Sequence, residues 1–165
     1  MGFTAAGINT SLVTTTVEGA QAPLGFELTV PDGDNGAQVW VYVFNDDTSG
    51  FVAGDVVVRD ASTSTYDGIL NTDTTAAVRV LGIAQHEIAA GSYGFILRKG
   101  IGVARAADTG DDQDDDPLVA AASGDATSSG VDVMAAGEEH CVIALGLANA
   151  GSSAGATFTV YVNVP

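Results

Sequence analysis

Apolar positions along this chain alternate with polar ones in short runs, and clusters of Gly, Asp, Ser and Thr separate the runs. That is the signature of half-buried strands. Phe26–Val30 alternates cleanly, and Pro31–Gly36 after it is a dense turn signal. Gln38–Phe44 then sets Val39, Val41 and Val43 on one face and Trp40, Tyr42 and Phe44 on the other. A strand apolar on both sides belongs in the centre of a sheet or at an interface. Val56–Arg59 follows the turn at Gly54 and Asp55, and the polar stretch Asp60–Thr75 reads as a surface loop or loose hairpin. Val78–Ala84 is a buried strand, Ala89–Ser92 a turn, and Tyr93–Lys99 the return strand. In that return strand Tyr93, Phe95 and Leu97 share a face. Gly100 and Gly102 relieve a bend into a third short strand. Further strands are expected over Pro117–Ala122, Gly130–Met134, His140–Ala148 and Thr157–Val164. No helical stripe fits better, so the pattern predicts an all-β fold. It would be a compact barrel or sandwich of about ten short, mostly antiparallel strands.

The pattern also repeats. Leu81-Gly82-Ile83-Ala84, then Gly91 and Tyr93–Leu97, is echoed by Leu145-Gly146-Leu147-Ala148, then Gly155 and Thr157–Tyr161, at a constant offset of 64. Two strand-turn-strand units would each supply half of the body. Common descent and two hairpins solving one turn problem both account for so short a match.

Composition strengthens the β reading. The 165 residues include 21 Gly, and apolar residues make up 46%. That is enough for one domain with a core of Val, Ala, Leu and Ile. We expect a single domain over 17–165, preceded by an extended arm over 1–16. The formal net charge is −16, with only five basic residues. A nucleic-acid partner requires a basic face, so direct nucleic-acid binding is not expected. Asp108–Asp116 packs six acids into nine residues and must form a solvated loop. The single cysteine, Cys141, rules out an intramolecular disulfide and sits in an apolar run. No stretch has the length and apolarity of a membrane helix, and Met1–Val17 lacks the charged and apolar regions of a signal peptide. Synthesis in a reducing cytoplasm, without a membrane partner, is the expectation.

Residues Met1–Thr16 carry no charged side chain, which is unusual in so acidic a chain. They are either a frayed terminus or an arm that adds a strand to a partner's sheet edge. In the second case Phe3, Ile8, Leu12 and Val13 would be its contact residues. The aromatic row containing Trp40 and Tyr42 is a further candidate anchor for a partner, with core packing as the alternative.

Catalytic and metal chemistry find little support. Gly151-Ser152-Ser153-Ala154-Gly155 matches the G-x-S-x-G elbow, but His86 and His140 both precede Ser153 and a strand follows it. Asp112-x-Asp114-x-Asp116 begins like a calcium loop, yet Pro117 stands where the invariant Gly belongs. His140 and Cys141 are adjacent on a strand and point to opposite faces, so they cannot share a metal. We expect no catalytic residue, no metal site and no cofactor.

Several segments together resemble a known family. They are Gly36–Val43, Val52–Val58, Leu81–Ala84, Ala89–Ile96, Pro117–Ala120 and Leu145–Ala148. In this order they are similar to the decoration (cement) proteins of tailed-phage heads, particularly the marine and cyanobacterial phage type. The resemblance implies a barrel-like virion protein on the capsid exterior. It would act as a homotrimer that bridges major capsid protein subunits and stabilises them, with an N-terminal arm added to the capsid protein's sheet. It implies no catalysis. The acidic loop Asp108–Asp116 and the excursion Asp60–Thr75 depart from the family. From other classes, a fibre or knob module recognising a host glycan and a tail-associated subunit are the alternatives.

Overall fold

The computed structural model describes residues 4–5, 7–60, 64–71, 79–107, 115–122, 129–134, 142–148 and 155–165. Among them the one complete helical element is a single 3₁₀ turn at Gly33–Asn35, and Arg79 just before Val80 is also in 3₁₀ conformation. The strands are β1 (Thr4–Ala5), β2 (Ile8–Asn9), β3 (Thr14–Thr15), β4 (Glu27–Pro31), β5 (Ala37–Asn45), β6 (Val56–Arg59), β7 (Asp67–Leu70), β8 (Val80–Ile83), β9 (Ser92–Arg105), β10 (Pro117–Ala122), β11 (Ser129–Val133), β12 (Val142–Gly146) and β13 (Thr157–Asn163). The all-β expectation holds.

Five strands close a barrel in the order β9-β8-β6-β7-β5, and β5 returns to pair with β9. All its pairings are antiparallel except β5 with β7, where Phe44 lies opposite Asp67 and Asn45 opposite Gly68. Its interior is apolar and tightly filled by Val41, Val43, Phe51, Val57, Leu70, Leu81, Ile88 and Ile96. Alternation puts Trp40, Tyr42, Val56, Ile83, Phe95 and Leu97 on the outside of this barrel. There they join a second core with Ala104, Leu118, Val131, Ile143, Phe158 and Val160.

That second core is enclosed by a second ring, in the order β9-β13-β12-β10-β11. It closes through one parallel bridge just past β9, between Ala106 and Val131. β9 is thus common to both rings: its first half pairs with β5 and β8, its second half with β13. The sequence suggested a bend at Gly100 and a separate third strand. The chain instead runs on as one strand of 14 residues. Gly100 absorbs the irregularity at φ 115°, with Ala37 and Gln38 packed so closely that a Cβ would crowd them.

The two rings are repeats of one plan. In the first, the register of β6 on β8 shifts between Val57 and Val58; in the second, that of β10 on β12 shifts between Leu118 and Val119. Each slip is a β-bulge that turns two consecutive residues inward, Leu81 and Gly82 in one ring, Ile143 and Ala144 in the other. The Gly91 N–H donates to the Asn45 carbonyl and the Gly155 N–H to the Ala106 carbonyl, both at 2.9 Å. Both glycines have positive φ. Asp46 N–H to Gly68 carbonyl in the first ring is matched by Ala107 N–H to Val131 carbonyl in the second.

The ladders also correct the expected offset. Leu97 pairs with Ile83, and its counterpart Tyr161 pairs with Leu145. Ile83 therefore corresponds to Leu145, two residues before the Leu147 that a constant offset requires. The excursion Asp60–Thr75 needs correcting as well. It contains β7, the strand that closes the first barrel, while residues 61–63 and 72–75 of it lie outside the described residues.

Candidate functional site

The arm expected over residues 1–16 does not extend from the body where the structure describes it. β1 pairs with β2, and Thr14 and Thr15 of β3 pair with Tyr93 and Ser92 at the start of β9. The sheet edge that the arm augments is this chain's own. Ile8 packs against the second core and Val13 against the barrel interior cluster. Leu12 stays exposed, and Phe3 lies outside the described residues. A histidine fastens the segment. His86 Nε2 is 3.1 Å from the Thr10 carbonyl, so the ring carries its proton there and donates it. Its Nδ1 is buried with no hydrogen-bond partner among the described residues. Desolvation by burial lowers the His86 pKa from 6.5.

Trp40 and Tyr42 are core side chains, so the proposed aromatic anchor is corrected in favour of core packing. Tyr42 is fully buried, its ring centroid 4.8 Å from that of Phe95. Its hydroxyl accepts the Gln21 N–H at 3.0 Å and lies 3.3 Å from Thr14 Oγ1. Trp40 Nε1 donates to Gln38 Oε1 at 3.1 Å. The Tyr42 phenol therefore fastens Thr14 and Gln21 beside the aromatic row.

A second junction joins the rings. Asp55, wholly buried, accepts the Val52 N–H at 2.8 Å, and its Oδ1 lies 3.5 Å from Arg105 Nε. The contact is an ion pair without hydrogen-bond alignment. Gln85 adds a strand-like clasp, donating to the Val103 carbonyl at 2.9 Å and accepting the Val103 N–H at 2.8 Å.

No set of three or more His, Cys, Asp or Glu converges among the described residues. His140, Cys141, Asp112, Asp114 and Ser152–Ala154 lie outside the described residues. No helix among the described residues is long and apolar enough to cross a membrane.

Sequence reasoning missed one surface. Pro117, Val142, Leu145, Tyr161 and Asn163 line an open groove of ≈ 190 Å³ on the outside of the second ring. Leu145 is 38% exposed at its centre, and Leu147 beyond the end of β12 is equally exposed. None of the described residues that line the groove is charged, on a chain of net charge −16. Only the ladder reveals it. Leu145 faces outward because the bulge resets the alternation of β12, and Pro117 and Tyr161 lie directly opposite it on the neighbouring strands.

No protein-family model matches the chain, and no curated protein matches it. Among solved structures, it is similar in fold to the N base of the head fiber gp8.5 of bacteriophage phi29. The TM-score is 0.50 at 10% sequence identity, over 75% of this chain and 94% of that one. The likeness is one of fold.

Proposed function

We propose that this chain is a non-enzymatic structural protein of a phage virion and, more narrowly, a decoration protein of the head exterior. It bridges subunits of the major capsid protein and stabilises the assembled shell. The observation that carries the reading is the fold shared with a phage head fiber base along nearly the whole length of that base. The chemistry of the surface agrees with it. A groove whose described lining residues carry no charge offers a docking face, while the net charge of −16 keeps the rest wetted. The mechanism is linkage: a protein that binds only the assembled lattice stabilises it by mass action, without chemistry.

The identity of the structural neighbour favours one second reading. The same body could serve as the base of a fibre rather than as a cement. Microscopy of decorated heads separates the two. A decoration protein adds compact density between capsid subunits, and a fibre base adds the root of a projecting stalk. Reinforcement is tested by adding the purified chain to heads that lack it and measuring heat-induced DNA release. Release should shift to higher temperature at saturating binding. Unchanged release at saturation removes the cement role, and absence of binding to any head removes the virion reading.

A further inference from the structure

The mouth of the first barrel holds a recess that neither the groove nor the ladders account for. Arg59, Tyr66, Arg98 and Pro165 line it, over Val41 and Leu81 of the barrel interior cluster. Its volume of ≈ 60 Å³ is the share of roughly two water molecules. Arg59 ends β6 two positions after the interior residue Val57, so alternation aims it into the mouth. Arg98 arrives differently. Leu97 pairs with Trp40 and Lys99 with Val39, which leaves Arg98 as the extra residue of a β-bulge, a device that re-aims a side chain.

The chain has only five basic residues, and two of them meet here. Arg98 is engaged: it pairs with Glu27 and donates through Nη2 to the Pro165 carbonyl. Arg59 is not. Its Nε is buried with no hydrogen-bond partner among the described residues, and a buried donor without an acceptor destabilises the fold until an acceptor reaches it. Two guanidinium groups around one small recess also repel, and the Glu27 carboxylate offsets one charge of the two.

We infer that this recess is a binding site for a compact oxyanion of the phosphate or sulfate type. Such an ion presents several acceptor oxygens, which the planar N–H forks of guanidinium groups match. The apolar floor of Val41 and Leu81 keeps water from one side of it and strengthens the contact relative to one on the open surface. The volume suits an ion of a few heavy atoms and is too small for an organic cofactor. An ion held by Arg59 and Arg98 would link β6 to β9 across β8, which stands between them. The inference does not depend on the virion reading.

The test is thermal unfolding of the full chain at fixed pH, in phosphate against chloride at matched ionic strength, so that general screening of the net charge of −16 cancels. A ligand that binds only the folded chain raises its midpoint. At roughly ten times the dissociation constant, phosphate should add about 3–6 °C beyond chloride. Exclusion of phosphate from the surface also stabilises, but without saturation and equally in every variant. Arg59→Gln should therefore lose the saturable part, and Arg79→Gln, at an exposed arginine outside the recess, should keep it. A readout on the wild type alone covers the case of a variant that does not fold. In nitrogen–proton spectra, phosphate should shift the amides of Arg59, Leu81 and Arg98 with one saturable constant and leave those of Val142–Gly146 in place. A midpoint no higher in phosphate than in chloride overturns the inference, as does an excess of equal size in a folded Arg59→Gln protein. Amide shifts that do not saturate, or that miss those three residues, overturn it too.

Discussion

The two rings share a topology, a bulge and a turn glycine, yet they differ in what fills them and in what covers them. The first is packed with Phe51, Ile88, Ile96, Leu70 and Leu81. Its outer face is covered twice, by the segment of Thr14, Gln21, Ala22 and Leu24 at Tyr42, and by the second ring over Ile83 and Leu97. The second ring uses smaller pieces, with Ala104, Ala106, Ala120 and Ala144 around Leu118, Ile143 and Phe158. Its outer counterparts of Phe95 and Ile83 are Thr159 and Leu145, both exposed. Matched hydrogen bonding therefore predicts no equality of stability, which is expected to follow apolar burial instead. Ladders are alike in the two rings, and buried apolar area is not.

The largest test of that contrast is a matched pair. Phe95→Ala empties a fully buried site against Tyr42 and should cost about 3–5 kcal/mol in urea unfolding. Thr159→Ala at the equivalent place should change stability by no more than about 0.5 kcal/mol. Equal costs would break the contrast. Next comes the junction between the rings. Arg105→Ala removes the cation 3.5 Å from the buried Asp55 carboxylate and should cost about 3 kcal/mol. A loss confined to hydrogen-exchange protection of the second ring would show that the pair secures that ring only.

A smaller effect separates the covered flank from the rest. His86 has a folded pKa lowered below its ordinary 6.5, so folding favours the neutral ring. The contribution is fully present above 6.5 and is lost as pH falls from there through the lowered folded value. Protonation would add a buried Nδ1–H with no acceptor among the described residues, beside the Thr10 contact. Acidification below 6.5 should therefore speed proteolysis within residues 7–16, and His86→Gln should flatten that pH dependence. The smallest expected effect is that of Leu145→Arg on the thermal midpoint. A half-open surface position should move monomer stability by no more than about 0.5 kcal/mol, and a larger loss would mean that the groove belongs to the core.

Most of the strands were legible in the sequence because inside and outside alternate residue by residue. Phe26–Val30, Gln38–Phe44, Val56–Arg59 and Thr157–Val164 each coincide with an observed strand to within a residue or so. Three features were not legible, each for a physical reason. β7 is only Asp67-Gly68-Ile69-Leu70, and its place in the barrel comes from a parallel pairing with distant β5 rather than from its own composition. β9 crosses Gly100 without breaking because both halves are paired along their length, which local turn propensity does not register. The repeat was visible but misaligned by two residues in β12. That error preserves facing and so leaves the apolar pattern intact. The candidate site was less legible than the fold. The uncharged leader suggested an arm for a partner, and its nearest acceptor edge proved to be the start of β9 in the same molecule. The groove escaped because a strand's own alternation cannot say which of its two faces another unit will cover.

The shared strand has a mechanical consequence. At about 3.3 Å per residue, the 14 residues of β9 form a tie of roughly 45 Å whose two halves are hydrogen-bonded into different closed rings. A pull along this tie loads rows of ladder bonds in shear, so they must fail together rather than unzip singly. Tension applied at one end of the molecule is delivered to the other through a single unbroken backbone, with no hinge between them to absorb it.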